Sequence, residues 1–497
     1  SGGILNDDDR EELALRGIRL APSGMEQMSI ELQNLYAALA QPTEGLVVSY
    51  ASADVSGAEL RPAFVVDRLR TLFPAVRIER EKNDKDYRLT ASIPALEAAG
   101  TAPDGPLWRY FAGSSDYAAP LAAMERAAAG RPAAFADEQL AARFFGDDMR
   151  LSPSRVEKYH LCRFAYFCQY GLKAKVRRPA DLDAAEFGTL AHYVMETQLR
   201  AYVRDKTDYA ALSKEQVTAD AEQRVRDYVD AVMGGTENKP QRFAWLLTRL
   251  IRTCGSLLWQ VVRELAQSQF VPVAFELSIG RPEEEGGEYV KPLVLTLPDG
   301  ASIQVHGQVD RVDVFEKDGV SYVRVVDYKT GRKAFSLSDV WYGMGLQMLL
   351  YLFALERSGP ARYGHEIVPA GVLYVPARDV LIPADRRLSP EEAAKERAGA
   401  VRRSGLLLDD AAVLHAMEHS DTPQYLPVSP RRKTETLASA EQLGLLARHI
   451  ETTLLDLAHE LRGGSITADP YFRSGQDTAC THCDYLTVCH FTPGAGG

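Results

Sequence analysis

The 497-residue chain holds no run of about 20 apolar residues, the length a membrane-spanning helix needs. Its most apolar stretch, residues 340–355, contains Gln347 and two glycines and reads as a buried helix. The first residues, Ser1-Gly2-Gly3-Ile4-Leu5-Asn6-Asp7-Asp8-Asp9, are acidic where a secretory leader is basic and then apolar, so a cytoplasmic protein is expected. An initiating Met is missing too, and a fragment or processed product of a longer chain is expected. Basic residues do not prevail: 57 Lys+Arg against 68 Asp+Glu leave a net charge of −11. A protein that coats nucleic acid by charge alone is thereby excluded, and any DNA contact must be local. With 26 prolines and 37 glycines the chain is too poor in both for low complexity. No Gly-x4-Gly-Lys-Ser/Thr phosphate loop occurs, and no internal repeat is visible.

What remains is an ordinary globular composition, 46% hydrophobic and 25% charged, long enough for roughly three domains. Residues 1–150 carry 16 basic and 23 acidic side chains and residues 151–497 carry 41 and 45, so the acidity is concentrated at the front. That front begins with a helix expected over 25–40 and a strand over 45–50, and Ala- and Gly-rich sequence from about 95 to 150 reads as helices and a connection. From Leu151 the texture changes. Ser152-Pro153-Ser154 starts an aromatic-rich helix expected over 156–170, and further helices run to about 270. Pro298-Asp299-Gly300 and Lys317-Asp318-Gly319 each separate two β-branched runs, so 292–330 reads as a three-stranded meander. A further strand is expected at 370–375 and helices at 337–357, 390–403 and 437–462.

The chemistry lies in Gly307-Gln308-Val309-Asp310-Arg311-Val312-Asp313 and in Val325-Val326-Asp327-Tyr328-Lys329-Thr330-Gly331. Side chains alternate along a strand, so Asp327 and Lys329 project from the same face. Asp310, on the preceding strand, brings a second carboxylate toward Asp327. Two carboxylates about 4 Å apart repel by roughly 4 kcal/mol at an effective dielectric of about 20, which calls for a cation. Mg²⁺, with Mn²⁺ as the alternative, takes one or two carboxylates and leaves positions for a phosphate oxygen. Lys329 is then placed to orient the attacking water or to offset charge on a scissile phosphate. A lone Asp-x-Lys is usually a solvent-facing pair, but here apolar Val323, Val325 and Val326 surround it. Upstream, Gly188-Thr189-Leu190-Ala191-His192 offers an imidazole near a helix start, although read alone His192 also fits a structural role. Gln347 and Tyr351 share one helix face; core packing accounts for Tyr351, while Gln347 in so apolar a helix needs a polar partner. Glu276, between Phe275 and Leu277, is a weaker candidate ligand and reads first as an ordinary strand residue.

Together, Gly-x-x-Asp-Arg-x-Asp, Asp-Tyr-Lys-Thr-Gly, Gln-x-x-x-Tyr and the upstream Gly-Thr-Leu-x-His resemble the RecB-type branch of the PD-(D/E)XK nuclease fold. The resemblance implies a restriction-endonuclease-like α/β core, a mixed sheet flanked by helices, that hydrolyses phosphodiesters. It assigns His192, Asp310, Asp327 and the Tyr328 carbonyl to the metal. It assigns Asp310, Asp327 and Lys329, with Gln347 and Tyr351 beside them, to catalysis.

Six cysteines in a reducing compartment are not expected to form disulfides. Cys480-x2-Cys483-x5-Cys489 gathers three thiols, and Cys162, in Cys162-Arg163-Phe164-Ala165-Tyr166-Phe167, is the best candidate for the fourth, with Cys168 about one turn further on; Cys254 reads as a buried thiol. Spacing alone does not separate zinc from an iron–sulfur cluster. The context resembles the iron–sulfur staple of the AddB and Cas4 nuclease families, which implies a [4Fe–4S] cluster clamping both ends of the nuclease domain. Beside Cys162, the cations Lys173, Lys175, Arg177 and Arg178 follow Tyr166, Phe167 and Tyr170, a mixture suited to single-stranded DNA. Arg431-Arg432-Lys433 is a second, weaker group.

Residues 35–46, around Tyr36 and Gln41, resemble the last motif of superfamily 1 helicases, with Gln41 where an arginine would contact the γ-phosphate. A neutral amide cannot replace that bidentate, charge-assisted contact. Residues 1–95 therefore read as the remnant of an inactive helicase-like domain, 96–150 as a helical connection and 151–497 as the nuclease domain. This combination resembles the C-terminal part of the AddB family. It implies a heterodimer with an AddA-like helicase–nuclease that resects double-strand breaks for recombinational repair, with exonuclease cutting on the 5′-terminated strand. The alternatives are a freestanding RecB-type or Cas4-like iron–sulfur exonuclease and a catalytically silent DNA-binding scaffold.

Overall fold

The computed structural model describes residues 7–18, 20–53, 58–78, 89–128, 134–135, 137–146, 148–175, 184–237, 241–280, 289–331, 334–364, 366–377, 389–420, 423–428, 433–474, 477–489 and 491. It separates into two units, Ser1–Ala129 and Gly130–Gly497.

The first unit is helical among its described residues. Its longest helix, Gly24–Ala40, starts at a capping box: Ser23 Oγ accepts the Glu26 N–H and the Glu26 carboxylate accepts the Ser23 N–H. No residue of this helix is buried. A small core forms further on, where Ala95, Ala99, Trp108, Phe111 and Leu121 pack together. Residues 45–50, expected as a strand, are irregular and exposed, Val47 to 93%. A β-branched run needs a neighbouring ladder to satisfy its backbone, and no named strand among the described residues of this unit provides one.

The second unit contains a seven-stranded mixed sheet in the order β10-β9-β8-β7-β6-β2-β3 and a three-stranded sheet in the order β1-β5-β4. The strands are β1 (Asp148–Leu151), β2 (Val271–Ile279), β3 (Tyr289–Val290), β4 (Leu293–Thr296), β5 (Ser302–Val305), β6 (Gly307–Lys317), β7 (Val320–Lys329), β8 (Glu366–Pro376), β9 (Ser404–Leu408) and β10 (Leu437–Ala438). β6 and β7 are buried on both faces along most of their length, as befits central strands covered by helices. Their hairpin turns on Asp318 and Gly319, both at positive φ, the twist that a two-residue hairpin requires. Helices Ala184–Arg204, Lys214–Met233, Gln241–Leu265 and Gln347–Ser358 supply much of the surrounding core.

In the second unit three expectations change. The stretch 292–330 is not one meander: β4 pairs with β5 and β6 with β7, but the two hairpins belong to different sheets. The break falls at His306, whose N–H bonds to the Leu151 carbonyl at the end of β1, before β6 begins at Gly307. The helix expected over 156–170 is interrupted: Pro153–Leu161 stops at Cys162, which is extended (φ −174°), and a short helix and a π-turn follow over Arg163–Tyr166 and Phe167–Gly171. The helix expected over 337–357 is split as well, because Gly343 and Gly345 take positive φ between Leu337–Trp341 and Gln347–Ser358.

Candidate active site and cysteine pocket

Asp327, Tyr328 and Lys329 end β7 beside Asp310 of β6, one step beyond the paired Arg311 and Val326. Asp310 is 8% and Asp327 2% exposed. The Tyr328 N–H donates to Asp310 Oδ2 at 2.8 Å. Lys329 Nζ reaches both Asp327 oxygens, at 2.9 and 2.8 Å, and lies 3.4 Å from Gln347 Oε1. Gln347 thus finds the polar partner that its apolar helix requires. One turn along, burial pushes the Tyr351 phenol up to about 12, so it stays protonated beside Gln347 and the Gln308 backbone. Gly307 makes room for it: a Cβ there would stand 2.3 Å from Tyr351 Oη.

His192 comes in from helix Ala184–Arg204, with Nε2 2.9 Å from the Tyr328 carbonyl oxygen. Donation to that carbonyl puts a proton on Nε2 and leaves Nδ1 facing Asp310 Oδ2 at 3.4 Å and Glu276 Oε1 at 3.8 Å. One ligand atom from each of His192, Glu276 and Asp310 lies within 4.8 Å of the others. Glu276, the weaker candidate ligand in the sequence, belongs to this group. It lies on β2 between the pairs Phe275/Arg311 and Leu277/Val309, opposite Asp310, and its φ of 47° is a sparsely populated conformation of the kind concentrated at functional sites. The signal was that Glu276 is the single ionisable residue of a nine-residue strand.

The electrostatics reflect crowded carboxylates. Burial, and then the neighbouring Asp310 charge, push Asp327 up to about 6 against the pull of Lys329. Burial likewise raises Glu276. Around His192, burial disfavours the charged ring, but Asp310 and Glu276 outweigh it and hold the imidazole at about 10. One imidazole nitrogen and two carboxylates, with the Tyr328 carbonyl beside them, form a donor set that fits a hard divalent cation, while the Asp327 carboxylate next to them is held by Lys329.

Cys162, Cys480, Cys483 and Cys489 line one pocket, walled by Phe164, Ala165, Pro470, Ala479, Leu486 and Phe491. The chain end is held there by the strand-like contacts of 161–164: the Tyr471 N–H donates to the Leu161 carbonyl and the Phe164 N–H to the Thr467 carbonyl. Arg163 reaches Asp469 Oδ2 at 2.7 Å and Glu460 Oε2 at 2.6 Å. Burial raises the Cys162 and Cys480 thiols. Four converging thiols fit a tetrahedral metal or a cluster.

Residues 150–490 match the family model described as the PD-(D/E)XK nuclease superfamily. The chain belongs to this superfamily. Proteins named as one of the subunits of an ATP-dependent helicase/deoxyribonuclease are similar to this chain over nearly all of it. Those of Acetivibrio thermocellus and Thermoanaerobacter sp. are 32% and 30% identical over 98% of the chain, and that of Ruminiclostridium cellulolyticum is 30% identical over 99%. In each case the chain spans 44% of the relative's length.

The nuclease superfamily's expected architecture, a mixed sheet flanked by helices, is the architecture of the second unit. His192, Asp310, Asp327, Tyr328, Lys329, Gln347 and Tyr351 all converge there. Lys173 and Lys175 are exposed after the π-turn, whereas Arg177 and Arg178 lie outside the described residues, as do Arg431 and Arg432. Cys254 is buried in the main core, and Cys168 packs with Cys162 and Tyr485. Gln41 caps the exposed helix Gly24–Ala40. Among the described residues, no helix is long and apolar enough to cross a membrane.

Proposed function

We propose that this chain is the metal-dependent deoxyribonuclease part of a helicase–nuclease of the AddB type, cutting single-stranded DNA during the resection of broken ends. The observation that carries the reading is the Lys329 ammonium held between Asp327 and Gln347, beside the His192–Glu276–Asp310 group. His192, Glu276, Asp310, Asp327 and the Tyr328 carbonyl are the groups that would hold Mg²⁺ or Mn²⁺. Such a cation supplies Lewis-acid polarisation of a phosphoryl oxygen. The protein's own groups do the positioning. Asp327 and Gln347 aim the Lys329 ammonium, which donates to the attacking water and to a non-bridging phosphate oxygen, where negative charge builds up. The Tyr328 N–H fixes Asp310, and Tyr351 braces Gln347 through its hydroxyl.

The four cysteines are read as ligands of a [4Fe–4S] cluster with a structural role, tying the C-terminal segment to Cys162. Lys173, Lys175, Arg177 and Arg178 are read as contacts to the incoming strand. The relatives' names, which give them as subunits of a helicase/deoxyribonuclease, support action on DNA together with a partner chain. The resemblance to the AddB family makes that partner AddA-like, the compartment cytoplasmic and the 5′-terminated strand the one that is cut. The decisive experiment is cleavage of a labelled single-stranded oligonucleotide by the purified chain with Mg²⁺, with EDTA, and with Asp327→Ala and Lys329→Ala. Loss of cleavage in the last three is expected; cleavage that persists in both variants with unchanged DNA binding overturns the assignment.

A further inference from the structure

On the face of β6 and β7 opposite the candidate active site, five charged side chains are almost completely removed from solvent: Arg311, Asp313, Arg324, Glu264 and Arg403, each no more than 2% exposed. They form a continuous chain. Arg311 grips Asp313 with two parallel bonds, Nε to Oδ1 at 2.8 Å and Nη2 to Oδ2 at 3.0 Å. Arg324 Nε donates to the same Asp313 Oδ2 at 2.9 Å, and its Nη2 lies 3.3 Å from Glu264 Oε1. Arg403 closes on Glu264 Oε2 at 2.7 and 3.0 Å.

Three cations against two anions in a dry interior are a poor way to gain stability, since apolar residues of equal volume usually do as well or better. The near end of the chain shows what the arrangement does. Arg311 Nη1 donates to Tyr328 Oη at 2.7 Å. Tyr328 is also the residue whose N–H holds Asp310 and whose carbonyl receives His192 Nε2. Its side chain is anchored behind the sheet while its peptide groups organise the site in front, between Asp327 and Lys329.

We infer that Arg311, Asp313 and Arg324 are positioning residues that act through Tyr328: by locking its ring they fix the peptide groups that space Asp310, His192 and Asp327 for a divalent cation. The inference rests on the metal-dependent nuclease reading. Mutation of groups that orient metal ligands typically weakens metal binding by about 10- to 100-fold.

The test is Mn²⁺ binding by the full chain, followed by electron paramagnetic resonance without DNA, for wild type, Asp310→Ala, Tyr328→Phe and Arg311→Lys. Tyr328→Phe removes one hydroxyl from a buried ring and is the variant best able to fold; circular dichroism and thermal melting confirm that it has. Weakening of Mn²⁺ affinity by about tenfold or more in Tyr328→Phe, with cleavage restored at saturating Mn²⁺, is the expected result. A purely structural role would lower the melting temperature and leave the Mn²⁺ affinity alone. If Asp310→Ala abolishes binding while Tyr328→Phe and Arg311→Lys bind as wild type does, the positioning role is overturned and the nuclease reading stands. If Asp310→Ala binds as wild type does, the nuclease reading falls and the positioning role with it.

Discussion

Glu276 and Asp310 face each other across β2 and β6 and flank the same nitrogen, His192 Nδ1, at 3.8 and 3.4 Å. Neither is adjacent to the other in sequence, and Glu276 reaches its place only through a left-handed backbone conformation at φ 47°. If both carboxylates serve one cation, Glu276→Gln keeps the size of the side chain and removes its charge. Metal affinity is then expected to fall about 10- to 100-fold, the scale seen when groups supporting a metal site are removed, with cleavage recovering as Mg²⁺ is raised. A Mg²⁺ titration of cleavage rate checks this, and an unchanged activation midpoint would count against Glu276.

Gly307 is required by Tyr351 rather than by its own backbone. Gly307→Ala sets a methyl 2.3 Å from Tyr351 Oη and 2.6 Å from its Cε1. Relief requires the ring to move away from Gln347, the residue that contacts Lys329. Overpacking of this kind costs about 1–3 kcal/mol, so urea denaturation should show a loss on that scale, and cleavage should fall further than stability alone explains. Adding Tyr351→Phe should not rescue the variant, because the ring carbon stays in the way.

Asp327, Lys329 and Asp310 were legible in the sequence because strand alternation is a local rule and a two-residue turn sets the hairpin. Glu276 was legible only as a weaker candidate, since its partnership depends on β2 lying next to β6 and strand order is not written in local periodicity. Arg311 and Asp313 were hidden for a related reason. Charges two apart on a strand suggest a wet face, and only tertiary packing, which brings Glu264 of helix Gln241–Leu265 and Arg403 against it, makes that face dry. In the first unit, residues 45–50 have the composition of a strand but no ladder among the described residues, and propensity without a partner does not make a strand. At Cys162 the aromatic run continues through a break in the helix, so the pattern concealed the change of direction.

Glu264 predicts the acid stability of the second unit. Burial alone would raise its pKa, but the guanidinium groups of Arg403, Arg324 and Arg311 outweigh burial and hold the carboxyl at about 2, below the ordinary 4.5. A carboxyl whose pKa is depressed by folding contributes stability that is fully present above the unfolded value and is lost as pH falls toward the folded one. Unfolding free energy should therefore drop between pH 4.5 and about 2. Glu264→Gln should flatten that part of the profile and lower stability at neutral pH by roughly 3–5 kcal/mol, because Arg403 loses its carboxylate partner and Asp313 alone is left to balance Arg311 and Arg324. Urea melts of both proteins at a series of acidic pH values measure the two effects together.

The cysteine pocket can be tested through metal content and through the chain end that it holds. With a [4Fe–4S] cluster the freshly purified protein is brown, absorbs broadly in the visible and contains about four iron and four sulfide per chain; colourless protein with stoichiometric zinc would refute the iron assignment. Cys480→Ala should bleach the colour and expose the C-terminal segment to limited proteolysis. Arg163 makes a further distinction possible. Its contacts to Asp469 and Glu460 hold the same segment independently of any thiol. In Arg163→Ala the colour should remain while bleaching by oxygen becomes faster, because only the cluster and the backbone hydrogen bonds of Leu161 and Phe164 then keep the three C-terminal cysteines against Cys162. An Arg163→Ala protein that bleaches at the wild-type rate would mean that the ion pairs merely decorate a segment already fixed by its backbone hydrogen bonds.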